Sequence, residues 1–229
     1  MEISAEFHLG STLYEIHPQV INGWIVSLVL WVLLFLGSRQ LKNADPRETP
    51  KGLALFLESF VTIVDHFVKD TMGERDLGFA PFIGSLVLFL SVANLLGLLG
   101  LEPPTTDVNV TFALAVFTIG MMCYTASKVL GGLGTLKELF FGEFPWLFPL
   151  EVISQLARPV SLAFRLFGAL LSGTILLKLL YGALGWFSPV ILPFLHIYFD
   201  LFEGMVQVLI FIMLAMIWTS MLVEVSHEK

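Results

Sequence analysis

Three long stretches without a single charged side chain constrain the fold of this chain more than any other feature. They cover residues 21–38, 77–101 and 108–127. A helix of about 20 apolar residues crosses the hydrocarbon core of a bilayer, which is about 30 Å thick. Composition agrees: 56% of the residues are apolar and 14% are charged, against about a quarter charged in soluble domains. The sequence therefore predicts an all-α protein that crosses the membrane several times.

Charge and cysteine content argue against several other classes of protein. The net charge is −7, whereas nucleic-acid binding needs clustered Lys and Arg. Cys123 is the only cysteine, so neither an intrachain disulfide nor a cysteine-rich zinc site is possible. A single intramembrane histidine, His196, does not supply the paired ligands of a haem. We expect neither a cofactor nor a metal.

The apolar pattern predicts five spans within a single integral-membrane domain, residues 1–229. The spans cover about 21–38, 79–101, 108–127, 150–183 and 190–223. As straight helices the last two would each be about 50 Å long, which exceeds the bilayer, so we expect strong tilts.

A further helix is predicted at about 50–70. It carries Glu58, Thr62, Asp65 and Lys69 on one face, which is typical of an amphipathic helix on the inner membrane surface. A second-layer helix packed on the spans is the alternative.

The distribution of Lys and Arg predicts the orientation of the spans. Six of the twelve lie in residues 39–76, whereas residues 1–20, 102–107 and 184–189 contain none. Positively charged loops stay on the cytoplasmic side. The N-terminus is therefore expected outside and the C-terminus in the cytoplasm, in a multi-pass protein of a bacterial plasma (inner) membrane.

The fourth predicted span carries an unusual series of polar residues at seven-residue intervals: Glu151, Arg158, Arg165 and Ser172. Seven helical steps return to within about 20° of the same direction, so the four share one face. Arg165 lies near the middle of the span, about 20 Å from either interface, too far for its side chain to reach water. It must face a cavity or a carboxylate partner. Lys178, closer to a span end, is expected to reach the interface.

The fifth predicted span has a second polar series, His196, Asp200, Glu203 and Gln207, on one face within about 40°. Carboxylates, an imidazole and an amide in one row are typical of a proton relay or a small-cation path. Two other interpretations remain open. An Arg–Asp pair could tie two helices together, or the polar residues could form a hydrogen-bonded seam between helices.

Four motifs in this order resemble subunit a of F-type ATP synthases. The most specific is EVISQLARPVSLAFRLFGALLSG, which is similar to the family's signature helix around Arg165. The others are NLLGLLGLEPP at 94–104, DVNVT at 107–111 and VQVLIF at 206–211. The resemblance covers most of the chain from about residue 50 onward, and the five-span topology also fits.

The resemblance implies a stator subunit without catalytic activity of its own, placed beside a rotating ring of c subunits and held by b-type peripheral stalk subunits. It implies two offset half-channels that pass H⁺, or Na⁺, to and from the ring carboxylates. Arg165 corresponds to the essential arginine of the family. The other residues assigned to the ion path are Asp200, Glu203, His196 and Gln207 in the outer half-channel, Glu151, Ser154 and Arg158 in the inner one, and Ser172 and Asn94.

Two positions depart from the family pattern. Ala169 stands where an Asn usually follows RLFG, and Thr174 stands where the family often has an acidic residue or His. We expect Glu203 to replace the missing carboxylate. The rival interpretation is a self-contained secondary transporter or channel, which would require a midplane site with discontinuous helices or paired repeats. The sequence shows neither.

Overall fold

The computed structural model describes residues 5–9, 12–43, 52–73, 78–131, 134–135 and 148–224. An antiparallel hairpin of β1 (Ala5–Leu9) and β2 (Thr12–Ile16) precedes the helices. The helices are α1 (Pro18–Asn43), α2 (Leu53–Met72), α3 (Ala80–Leu95), α4 (Val108–Leu130), α5 (Phe148–Leu184), α6 (Ser188–His196) and α7 (Gly204–Glu224). Short 3₁₀ turns occupy Leu96–Leu99, Pro104–Thr106 and Gly185–Phe187, and a π-helix covers Ile197–Glu203. From Pro18 onward, every regular element that the structure describes is helical.

Four of the described segments are long and apolar enough to cross a membrane: Pro18–Gln40, Ala80–Leu99, Val108–Lys128 and Phe148–Met221. The first three coincide with predicted spans. The fourth has 74 residues, because helical structure continues through the 3₁₀ turn between α5 and α6. It contains both of the long predicted spans. A helical protein of the membrane is therefore confirmed, and its division into five spans stays a prediction.

The main core forms where α2, α3, α4, α5 and α7 meet. Its fully buried side chains include Val68, Ile83, Leu90, Leu166 and Phe211. Such burial excludes both water and lipid from the centre of the bundle and fixes the relative positions of α5 and α7, which carry the two polar series.

Helix α2 is a packed member of this bundle. Val64 and Val68 are buried in the core, and the Leu57 side chain fills the space beside Gly37 of α1, where any Cβ would collide with it. The opposite face holds an ion pair between Lys69 Nζ and Asp65 Oδ2 at 2.6 Å. The packing agrees with the second-layer alternative. A position at the inner membrane surface stays a prediction, and residues 50 and 51 of the predicted helix lie outside the described ranges.

The motif at residues 94–104 ends α3 sharply. Gly100 adopts a left-handed φ of 72°, which only glycine does without steric cost. Its N–H donates to the carbonyl of Gly97 at 2.9 Å, and the N–H of Leu101 donates to that of Leu96 at 3.1 Å. Asp107 then caps α4, since its Oδ1 accepts from the N–H of Asn109 at 2.7 Å. The turn between α3 and α4 is thus held rigidly beside α5.

Candidate functional site

A cavity of about 890 Å³ opens at the end of the bundle where the α3–α4 turn meets the α5–α6 turn. We call it the polar cavity. Its polar lining residues are Glu102, Thr174, Lys178, Tyr181, Ser188, His196 and Asp200. Both turns that lack Lys and Arg contribute to its wall, so they lie at the same end of the bundle, as the charge distribution predicts.

Three of the lining side chains form a continuous hydrogen-bonded chain. The Tyr181 hydroxyl lies 3.0 Å from His196 Nε2, and His196 Nδ1 lies 2.6 Å from Asp200 Oδ2. The i, i+4 spacing of His196 and Asp200 thus brings the two together as expected. Tyr181 was not among the sequence-based candidates. Its position seven residues after Thr174, on the same helical face of α5, was the signal that could have found it.

The Asp200 carboxylate lies directly against the backbone of Gly97 in the turn after α3. A Cβ at Gly97 would lie 2.7 Å from Asp200 Cγ and 2.9 and 3.0 Å from its two oxygens. Real Cβ atoms do not approach other atoms so closely, so the missing side chain at Gly97 makes room for the carboxylate. The glycine of NLLG is therefore part of the site.

The π-helix separates the polar residues that the sequence placed on one face. The cavity lining includes His196 and Asp200 but neither Glu203 nor Gln207. The prediction assumed 100° per residue throughout, whereas a π-helix has i→i+5 hydrogen bonds and therefore a wider turn. A single continuous stripe is thus wrong, and the reason is local helix geometry. π-Helical turns are frequently found at functional sites.

Glu203 and Gln207 lie in other surroundings, Glu203 half-buried beside α5 and Gln207 buried. Glu203 Oε2 would be 3.8 Å from a Cβ built on Gly173 of α5. Gln207 is only 6% exposed, and its Nε2 has no hydrogen-bond partner among the described residues. A buried amide nitrogen without a partner is costly, so this position is a weak point in the packing of the described residues.

Arg165 lies one residue from the centre of α5 and is exposed. The core face of this helix is formed by Leu162, Leu166 and Leu170, and Arg165 lies beside it, open to the outside. Among the described residues it has no hydrogen bond or ion pair. Asp200 is bonded to His196 instead, so within the described ranges Arg165 and Asp200 do not form a pair that ties two helices together.

The other members of the Arg165 series differ from one another. Arg158 is half-buried, with its guanidinium carbon 5.9 Å from the ring centre of Trp218 in α7. Glu151 Oε1 accepts from Gln155 Nε2 at 3.1 Å within the same helix. Ser154 and Ser172 are exposed, and Ser172 Oγ donates to the carbonyl of Ala169 at 2.8 Å. The shared face therefore contains a packed guanidinium at 158 and an open one at 165.

Asn94 is buried, and both the nitrogen and the oxygen of its side-chain amide form hydrogen bonds. Its Nδ2 donates to the carbonyl of Gly204 at 3.1 Å, and its Oδ1 accepts from Thr105 Oγ1 at 3.0 Å. It thereby ties α3 to α7 and to the α3–α4 turn. These contacts favour a structural role over the direct ion contact assigned from the resemblance.

Lys178, near a span end, has an exposed side chain, and its position at the membrane interface stays a prediction. Its Nζ pairs with Glu102 Oε1 at 2.9 Å, and the other carboxylate oxygen accepts from Gln19 Nε2 of α1. Asn22 Nδ2 also donates to the Glu102 carbonyl at 2.9 Å. The turn, α1 and α5 are tied together at the rim of the polar cavity.

A bundle of long apolar helices, with a mid-helix arginine open to the outside and a polar cavity at one end, defines an ion-conducting membrane subunit. Comparison with known proteins names the family: residues 20–220 match the family model of the ATP synthase A chain. The chain belongs to this family, as the four motifs indicate. It is thus a non-catalytic component of the ATP synthase membrane sector.

Curated relatives agree over most of the chain. It is 35% identical to ATP synthase subunit a of Trichlorobacter lovleyi, over 91% of this chain and 88% of that protein. It is 32% identical to the subunit of Moorella thermoacetica, over 93% of each. A protein of Propionigenium modestum named as sodium ion specific is also 32% identical, over 87% of this chain and 71% of that protein. The family thus leaves the choice between H⁺ and Na⁺ open.

Proposed function

We propose that this chain is the stator of a rotary F-type ATP synthase and provides two offset half-channels to a ring of c subunits. Five spans, with the 74-residue segment divided into two tilted helices, would place the N-terminus outside and the C-terminus in the cytoplasm. The b-type stalk subunits would hold the chain against the ring in a bacterial plasma membrane. The observation that carries the proposal is Arg165 in the middle of α5, which is exposed and has no ion-pair partner in the described part of the chain.

The physical case for Arg165 starts from the cost of an unpaired charge at membrane depth. A charged side chain there is expensive unless it faces water or a counter-charge. The described part of this chain supplies Arg165 with no carboxylate, so a partner must. The guanidinium is permanently protonated. It would favour the ionised form of an approaching ring carboxylate and force release of its ion.

The polar cavity is suited to the outer half-channel. His196 and Asp200 line it with groups that can accept and release an ion. Thr174, also in its wall, lies nine residues from Arg165, or about 14 Å along the helix. Glu203, against Gly173, lies where it could replace the carboxylate that Thr174 lacks, and Gln207 would continue the path from Glu203.

The inner half-channel would begin at the other end of α5, with Glu151, Ser154 and Arg158. Ser172 would lie on the ring-facing surface with Arg165. Because the two access paths meet α5 at opposite ends, an ion could cross the membrane only while it is bound to a carboxylate of the rotating c ring. Each transferred charge is worth about 2.3 kcal/mol per 100 mV of membrane potential, which biases the direction of rotation.

The decisive experiment replaces Arg165 with Ala in the complete ATP synthase, purified and reconstituted into liposomes. We expect ATP-driven ion uptake to fall to background while the complex still assembles, because only the counter-charge for the ring is removed. Ser161→Ala, also exposed and one turn earlier on α5, is the matched control and should transport normally.

Coupled ATP synthesis at the normal rate in an assembled Arg165→Ala complex would contradict the proposal. Transport by the chain alone in liposomes, without a ring, would instead support the self-contained transporter.

A further inference from the structure

Asn94 connects the end of α3 to the point where the π-helix ends. Its side chain is buried, and Nδ2 donates to the carbonyl of Gly204, the first residue after the π-helix, at 3.1 Å. We propose that Asn94 is a positioning residue that holds residues 197–203 in the π-helical form and thereby separates Glu203 from Asp200. The inference rests on the proposed function, in which both carboxylates take part.

The orientation of the Asn94 amide follows from its two partners. A carbonyl oxygen can only accept a hydrogen bond, so the amide nitrogen must face Gly204. The amide oxygen then faces the Thr105 hydroxyl, which donates to it at 3.0 Å. Thr105 is fully buried, so water does not compete for this bond. The hydroxyl therefore keeps the amide from turning over, and the bond to Gly204 keeps one direction.

The packing between α3 and the start of α7 is as close as this hydrogen bond requires. A Cβ at Gly204 would lie 3.2 Å from Asn94 Cβ, which is tighter than ordinary van der Waals contact. The missing side chain at Gly204 therefore lets the amide reach the carbonyl. Because Gly204 follows Glu203 directly, the contact also fixes the backbone next to the Glu203 side chain.

The π-helix places the two carboxylates against different elements. The Asp200 carboxyl lies against Gly97 in the turn after α3. Glu203 Oε2 instead approaches Gly173 of α5, at 3.8 Å from a Cβ built there. In an α-helix, three steps of 100° would leave the two side chains within about 60° of each other. Relaxation to an α-helix would therefore bring both carboxylates onto one side, where like charges repel.

A π-helical segment has to be held by its surroundings, because helices rarely adopt this form. Pro193, four residues before the segment, has no N–H to donate and weakens the α-helix on that side. Asn94 supplies the contact on the other side. Without it, a change to α-helical geometry would shift the register of the following residues by one position, or about 100°.

The first test reports the shape of the π-helix in the complete ATP synthase. Phe199 Cβ lies 3.7 Å from a Cβ built on Gly173, within the range of about 3.5–4.5 Å that disulfides adopt. The background variant combines Gly173→Cys and Phe199→Cys with Cys123→Ser, and oxidation should join the two new thiols. Adding Asn94→Leu, which is of similar size, should slow disulfide formation about tenfold, the factor that one buried hydrogen bond is worth.

The second test asks whether Asn94 acts through Glu203. ATP-driven ion uptake into liposomes should fall about tenfold in Asn94→Leu. In a Glu203→Gln background, the same substitution should reduce uptake by less than about twofold more, because residues that act through one another are not additive. A purely structural weakening would multiply the two losses instead.

Thr105→Val is a second variant, which keeps the size of a buried side chain and removes only the donor to Asn94. It should slow disulfide formation and ion uptake by about three- to tenfold. Thr118→Val is the matched control, because Thr118 is also buried but its hydroxyl donates to the carbonyl of Leu114 in its own helix. It should leave both rates unchanged.

An unchanged rate of disulfide formation in both Asn94→Leu and Thr105→Val would overturn the inference. So would multiplied losses of ion uptake when Asn94→Leu is combined with Glu203→Gln. Arg165→Ala in the uptake assay distinguishes the two proposals. If it abolishes uptake while Asn94→Leu and Thr105→Val change neither measurement, the positioning role fails and the proposed function stands.

Discussion

The two ends of α5 differ in how much of a site this chain completes by itself. At the C-terminal end, Lys178 pairs with Glu102 of the α3–α4 turn and Tyr181 lies within hydrogen-bonding distance of His196 of α6. Thr174 lies with them in the wall of the polar cavity. At the N-terminal end, Glu151 bonds only within its own helix among the described contacts, and Ser154 is exposed. Arg165 lies between the two ends.

The difference implies that the two proposed half-channels would be built in different ways. A wall made of several elements of one chain can position polar side chains before any partner binds. A row of exposed side chains on one helix acquires a second wall only from a neighbouring subunit or from the 132–147 connector, of which only residues 134 and 135 are described. Substitutions at the cavity end should therefore reduce the rate of ion transport by breaking contacts within this chain. Substitutions at the other end of α5 should reduce that rate less.

The largest effect is expected from removing Asp200 and Glu203, the two carboxylates that we assign to the outer half-channel. In the double variant Asp200→Asn with Glu203→Gln, ATP-driven proton uptake should fall by about 100-fold or more, the scale of lost acid–base function. The comparison is Glu151→Gln with Ser154→Ala at the other end of α5, which should reduce the rate less than tenfold. Retained proton uptake in the Asp200→Asn, Glu203→Gln variant would show that these two carboxylates are not part of the ion path.

A smaller effect is expected from Gly97→Ala. The new Cβ would collide with the Asp200 carboxyl and displace it from His196, and misplacement by about 1 Å can cost up to 100-fold. We expect roughly a tenfold loss of ATP synthesis in assembled complexes. Gly120→Ala is the control, because nothing lies within 4 Å of a Cβ built there. Equal rates for the two variants would show that the contact between Gly97 and Asp200 has no functional role.

The smallest effect is expected from Arg158→Gln. Its guanidinium lies over the Trp218 ring, a contact worth about 0.5–2 kcal/mol, so its loss should loosen the packing of α5 on α7. ATP-driven uptake should fall about two- to fivefold without being abolished. Arg158→Lys, which keeps a cation over the ring, should recover most of the rate. A complete loss of uptake with Arg158→Gln would instead show that Arg158 is as essential for ion transport as we propose for Arg165.

Much of the site could be predicted because its signals are local. The isolated Arg165, the i, i+4 pair of His196 and Asp200, and the two turns without Lys or Arg follow from helical spacing and the cost of charge in lipid. Contacts between elements that are distant in the sequence could not be predicted. Lys178 pairs with Glu102, 76 residues away, and nothing in the fifth span indicated that Asn94 would bond to the Gly204 carbonyl.

Hydropathy and periodicity are properties of neighbouring residues, so the amino-acid sequence was enough to predict which segments are helical and apolar enough for the membrane and where the polar groups lie along them. Which of those groups meet became known from the packing of the helices. The π-helix moved Glu203 and Gln207 away from the cavity, Gly97 made room for Asp200, and Tyr181 came within hydrogen-bonding distance of His196. Such contacts depend on distances of a few ångströms between separate helices, and these distances are fixed only when the whole core packs.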